Sequence, residues 1–185
     1  PASLCVSVND EVVHGIPLEE IILDEGDIVS LDLGLKHRGL ITDSAITVPV
    51  GNIDNKAQDL INITKKALMV GIEAAKPGNT TGDIGHAIEE FVKKTGYGIV
   101  KILSGHGVGY SVHEDPYVPN YGNPGEGEKL VPGMVLALEP MLNLGSGEVC
   151  STEDEYTYVT EDGSLSAHFE HTIVITEEGV EILTL

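Results

Sequence analysis

Apolar and polar positions alternate with a period of two near the start of the chain, shift to a helical period in the middle, and return to short alternating runs. Residues 2–8, ASLCVSV, read as a strand, and a loop follows through HGIP at 14–17. A hairpin then fills the stretch ending near Gly51. Over 54–75, Ala57, Leu60, Ile61, Thr64, Ala67, Leu68, Gly71 and Ile72 recur at helical spacing, which predicts an amphipathic helix stopped by Pro77-Gly78. A second helix is predicted over 82–95, with Ile84, Ala87, Ile88, Phe91 and Val92 as its apolar face. After Gly96 the spacing predicts strands at 99–103, 134–139, 155–160, 168–176 and 180–184, around a Pro/Gly-rich loop at 119–133. Strands separated by turns more often than by helices predict an α+β fold with a mostly antiparallel sheet. No linker interrupts the pattern, which predicts one domain over 1–185 with halves 1–95 and 96–185.

The hairpin, VSLDLGLKHRGLITDSA at 29–45, carries an anomaly: each strand holds an aspartate where a core residue is expected. With His37-Arg38 as a two-residue loop closed by Lys36 and Gly39, equal counting back sets Asp32 opposite Asp43. Both then lie on one face, with Cβ atoms about 5 Å apart. Like charges directly opposed destabilise a sheet unless something positive lies between them.

Composition narrows the classes. Apolar residues are 41% of the 185, enough for a sizeable core, but aromatics are 4% and Trp is absent, so that core is aliphatic. No run reaches the roughly 18 apolar residues of a membrane span, and no signal-peptide pattern opens the chain. Cys5 and Cys150 form no metal or redox motif, which suits a reducing cytoplasm. The net charge of −20 repels phosphate backbones and argues against direct nucleic-acid binding.

Further acids and histidines stand in apolar or glycine-rich surroundings. SGHGVGYSVHEDP sets His106 between glycines and His113 seven residues later; VLALEPM ends an apolar strand on Glu139. AHFEHTIVIT places Glu170 at the mouth of a β-branched strand between His168 and His171, and VVHGIP leaves His14 after two valines. Singly, each acid reads as a solvated strand end and each histidine as a loop residue. GHGVG lacks the last glycine of a dinucleotide loop, since position 110 is Tyr, and His113-Glu114 has no second histidine at position 117. Jointly, four acids in apolar strands are costly to ionise. Coupled acids with raised pKa values are one remedy; a pair of divalent cations is the other. Oxygen ligands with one imidazole suit manganese, iron or cobalt better than a closed structural zinc site.

The set Asp32, Asp43, His106, Glu139 and Glu170, with HGIP, GHGVG…HEDP, PGMVLALEPM and SLSAHFEHT, closely resembles type I methionine aminopeptidases from Pro1 to Leu185. The resemblance implies a pita-bread fold, two similar α/β halves with metals between them. It implies that Asp32 chelates one ion, Asp43 and Glu170 bridge two, and His106 and Glu139 complete the second. The ions implied are two divalent cations (cobalt, manganese, iron or zinc), which can lower the pKa of a shared water. Glu139 is implied as proton shuttle, and His14 and His113 as donors beside the scissile amide. Cys5 and Tyr156 match positions lining a methionine pocket; at position 112, where relatives often carry an aromatic, stands Val112. The substrate implied is the initiator Met of a peptide or nascent chain with a small second residue. Transient proximity to the ribosome and a monomeric state are further expectations, beside the cytoplasmic setting and the lack of membrane contact read from composition. Family members usually carry a helical segment and a strand ahead of PASLC, so the chain reads as a fragment or a short form with an open sheet edge. Two neighbours share the implied fold: proline-specific peptidases and non-catalytic binding relatives.

Overall fold

The structure is a computed structural model that describes residues 2–185. Strands β1 (Cys5–Val8) and β2 (Glu11–Val13) precede the long hairpin of β3 (Ile28–His37) and β4 (Leu40–Pro49). The loop of that hairpin is Arg38-Gly39, not His37-Arg38, and both residues have positive φ, 49° and 88°. The type I′ turn, one of the two tight turns that match strand twist, needs positive φ at both central positions, which draws Gly39 into the loop. The register therefore moves by two. Asp32 faces Ala45, Asp43 faces Gly34, and the expected direct opposition of Asp32 and Asp43 is replaced by a diagonal one. A shift of two preserves the side-chain parity, so the aspartates still share a face.

Helix α1 (Asn55–Ala74) begins at Asp54, whose carboxylate accepts from Ala57 N–H, and its eight buried residues are the eight picked out by periodicity. Helix α2 (Thr81–Val92) starts in a reciprocal capping box between Thr80 and Asp83. Ile84, Ile88 and Val92 are buried in it, whereas Ala87 and Phe91 are half-buried. Gly82 and Gly85 add a second face that lies on the 119–127 loop.

The remaining strands are short: β5 (Gly98–Ile99), β6 (Gly105–Gly107), β7 (Glu114–Val118), β8 (Val135–Leu138), β9 (Met141–Asn143), β10 (Val149–Ser151), β11 (Tyr158–Thr160), β12 (Ser166–His168), β13 (Glu170–Ile175) and β14 (Val180–Ile182). The glycine-rich stretch after Leu103 thus contains two strands, and the strand expected at 155–160 is preceded by a turn. Every strand pairing in the described residues is antiparallel. The main sheet runs β1-β3-β4-β13-β8-β6-β7, with β14 beside β13; two three-stranded sheets, β10-β11-β2 and β12-β9-β5, complete the fold. The core lies between the two helices and the sheet: Leu60, Leu68, Ile84 and Ile88 pack with Leu136, Leu138, Ile173 and Ile175. Burying each such side chain contributes about 1.5–3 kcal/mol. No helix of the described residues is long and apolar enough to cross a membrane.

Candidate metal centre

Sheet order and register alone assemble the site. Five neighbouring strands, β3, β4, β13, β8 and β6, bring in Asp32, Asp43, Glu170, Glu139 (just past Leu138) and His106 respectively. Ala45 pairs with both Asp32 and Glu170, making one row across three strands. Extending the His171↔Leu138 pairing by one residue sets Glu139 opposite Glu170 in the same row. Asp43 lies two residues from Ala45, and His106 pairs with Ala137, two residues before Glu139. Period two then places all five on one face. They line one cleft of about 500 Å³.

Within the cleft, one ligand atom each from Asp43, His106 and Glu170 lie within 4.8 Å of one another, and all three residues are buried. His106 Nε2 stands 3.3 Å from Glu139 Oε1. The other ring nitrogen, Nδ1, donates to Gly107 C=O at 2.9 Å, which leaves Nε2 to face the carboxylates. A metal-binding histidine is commonly oriented by such a bond to a carbonyl. Glu170 Oε1 is buried without a hydrogen-bond partner. These features fit a cation: the donors are hard oxygens with one imidazole, and one carboxylate oxygen of Glu170 is buried with no hydrogen-bond partner.

Electrostatics agree. Burial, with Asp43 and Glu139 adding negative charge, pushes the Asp32 carboxyl up to about 7. Burial raises Glu170 well above the ordinary range, reinforced by Glu139, Asp43 and Asp32, and burial likewise raises Glu139. At His106 burial lowers the pKa, but the hydrogen bond and charge of Glu139 outweigh it and the net shift is upward. A cluster that must hold protons or cations to remain together is the physical content of the anomaly in the hairpin.

His14 and His113 both line this cleft. His14 has φ of 60°, an uncommon conformation for a non-glycine residue. Its neighbour Gly15 fixes it: a Cβ on Gly15 would lie 2.3 Å from Val6 C=O, and Gly15 N–H donates to Ser7 Oγ at 3.0 Å. The HGIP phrase is therefore a close backbone crossing that turns β2 back onto β1. Burial lowers the pKa of both imidazoles, helped at His113 by His106 and opposed at His14 by Asp43. A small pocket of about 240 Å³ next to the cleft is lined by Cys5, His14 and Tyr156. Val112 lies on the cleft and not among the residues of that pocket.

Of the histidines flanking Glu170, His171 bonds Thr184 Oγ1 through Nδ1 at 2.9 Å, a packing role. His168 is the one directed at the site: 1% exposed, with Nε2 3.6 Å from Glu139 Oε2. Burial holds its pKa down at about 3, so the ring is neutral. Sequence alternation could have found it, since 168 and 170 share parity. The contacts of Thr47 and Thr172 described below had no such signal.

A curled antiparallel sheet presenting an acid-rich cluster with one imidazole among the carboxylates has the form of a divalent-metal centre. The chain belongs to metallopeptidase family M24, whose model matches residues 1–177. It is 50% identical to a methionine aminopeptidase of Clostridium acetobutylicum over 185 residues, covering all of this chain and 74% of that protein. Against methionine aminopeptidase 1 of Bacillus subtilis the identity is 50% over 182 residues, covering 98% and 73%. The crystal structure of a methionine aminopeptidase from Thermotoga maritima superposes with a TM-score of 0.96 at 51% identity, covering 98% of this chain and 73% of that one. A prolidase from Pyrococcus furiosus gives 0.79 at 28%, covering 100% and 49%. The fold is the pita-bread fold of these proteins.

Proposed function

We propose that the protein removes the N-terminal methionine from peptides and nascent chains, preferring a small second residue, in the cytoplasm. One observation carries this reading: a row of metal-type ligands drawn from five adjacent strands borders a small, largely apolar pocket that holds Cys5 and Tyr156. The half-identity to methionine aminopeptidases over the whole chain supports it.

Asp32, Asp43, His106, Glu139 and Glu170 would hold two divalent cations, offering them carboxylate oxygens and one imidazole. Bound there, the ions supply Lewis acidity and a water of lowered pKa. The residues of the chain do the rest. Cys5 and Tyr156 receive the methionine side chain, where soft sulfur and a ring edge suit a thioether. Neutral imidazoles at His14 and His113 offer N–H donors to the scissile amide; a donor aimed at the developing oxyanion binds the transition state more strongly than the ground state. Glu139 takes the proton of the attacking water and delivers it to the departing nitrogen as the C–N bond breaks.

The test is substrate choice. Protein supplied with Mn(II) or Co(II) should release free Met from Met-Ala-Ser and leave an Ala-Pro peptide intact. Cleavage of Ala-Pro with Met-Ala-Ser untouched would instead make the chain a proline-specific peptidase, as its likeness to prolidases allows.

A further inference from the structure

The strands that carry Asp43 and Glu170 share only two main-chain pairings, Glu170↔Ala45 and His171↔Ser44. Carrying that register two residues beyond Glu170↔Ala45 in each direction sets Thr172 opposite Asp43 and His168 opposite Thr47. At both places a threonine hydroxyl replaces the main chain. Thr172 Oγ1 accepts from Asp43 N–H at 2.7 Å and donates to Asp43 C=O at 2.7 Å. Thr47 Oγ1 accepts from His168 N–H at 2.8 Å and donates to His168 C=O at 2.8 Å. Both threonines are buried, Thr172 completely.

A hydroxyl has one proton and two lone pairs, so one oxygen can serve both polar groups of a single residue. The main chain of Thr172 is committed elsewhere: its N–H donates to Thr184 Oγ1 at 3.1 Å and its C=O accepts from Leu183 N–H at 2.8 Å, so the hydroxyl is the group left for Asp43. The two side-chain rungs lie on either side of Ala45, which pairs with both Asp32 and Glu170. We propose that Thr172 is a positioning residue of the metal centre, with Thr47 its counterpart on the opposite flank. The two clamps set the backbone of Asp43 and of the segment entering Glu170, and thereby fix the relative positions of two carboxylates on different strands. The inference rests on reading Asp43 and Glu170 as ligands. It assigns no contact with metal or substrate to the threonines themselves.

Thr172→Val keeps the shape and removes the hydroxyl, leaving Asp43 N–H and C=O unpartnered in a buried place. Thr172→Ser keeps the clamp. Thr64 provides the control, because it is equally buried and its hydroxyl donates to Leu60 C=O within α1, outside the cleft. Two quantities are read on chelator-stripped protein: the calorimetric affinity for Mn(II), and the hydrogen-exchange rate of the Asp43 amide without metal. Thr172→Val should bind Mn(II) about 10- to 100-fold more weakly and exchange the Asp43 amide faster. Thr172→Ser should match the parent in both, and Thr64→Val should lose stability without losing Mn(II) affinity. The proposal is overturned if Thr172→Val titrates like the parent, or if Thr172→Ser is as weak as Thr172→Val. Should Thr172→Val fail to fold, Thr172→Ala takes its place under the same two comparisons. A parent chain that binds no Mn(II) overturns the metal-centre reading along with the inference; a parent and Thr172→Val that bind alike overturn the inference alone.

Discussion

The His113 ring stands edge-on to the His106 ring, with centroids 4.4 Å apart and planes at 80°. Although adjacent, the two differ in surroundings: His106 is buried among the carboxylates, while His113 lies on the exposed wall of the cleft. Different losses follow from removing each. His113→Ala should lower kcat on Met-Ala-Ser by about 10²–10³, the usual cost of one oxyanion donor, with KM and bound metal little changed. His106→Ala should release metal. Turnover and metal stoichiometry of the two variants decide it; a His113→Ala protein with full turnover, or with the metal loss of His106→Ala, contradicts the division of roles.

The turn before β11 carries Tyr156 and is organised by one carboxylate. Asp154 accepts from the hydroxyls of Thr152 and Thr157 and from the N–H groups of Tyr156 and Thr157, which hold its pKa well below the ordinary carboxylate range. A depressed folded-state pKa means that the contribution to stability is complete above the unfolded value of about 4 and is lost as pH falls through the folded one. The amide resonances of Tyr156 and Thr157 should therefore hold steady from neutral pH down to about 4 and move only in stronger acid. Asp154→Ala should raise KM several-fold at neutral pH by loosening the wall of the small pocket, without altering metal content. An unchanged KM would detach Tyr156 from substrate binding.

Helix propensity and packing disagree at Gly85, and packing should win. Propensity alone favours Gly85→Ala by about 1 kcal/mol. A Cβ there, however, would lie 2.3 Å from Tyr121 C=O and 2.6 Å from Pro119 C=O, main-chain atoms that cannot turn aside. Overpacking of this kind costs about 1–3 kcal/mol. The urea midpoint of Gly85→Ala should fall below that of the parent. A rise would mean that the 119–127 loop yields readily.

How much of this was legible depended on how far each signal ran. The apolar face of α1 could be read residue by residue because eight positions repeat one period over a 20-residue helix. Strands β2, β6, β9, β10 and β12 have three residues each, too few for a period to show, and β6 is glycine on both sides of His106. Asp32 and Asp43 were conspicuous because acids rarely sit in such strands, yet their register depended on whether Gly39 closed the loop or belonged to it. The acids and the imidazole that the sheet gathers were thus legible, whereas the threonine contacts were not. Thr172 and Asp43 lie 129 residues apart, and nothing local distinguishes Thr172 from any strand threonine. His168 and His171 differ in the sequence only in that His168 shares the parity of Glu170; the sheet turns that ring toward Glu139 and bonds the other to Thr184.

The role proposed for the carboxylate row is to hold divalent cations for peptide hydrolysis. The most direct test is release of free Met from Met-Ala-Ser by chelator-stripped protein, before and after stepwise addition of Mn(II) or Co(II). No release is expected without metal, and activity should rise with added ion and saturate once the site is filled. Undiminished release by the stripped protein, or a filled site with no release, would contradict it.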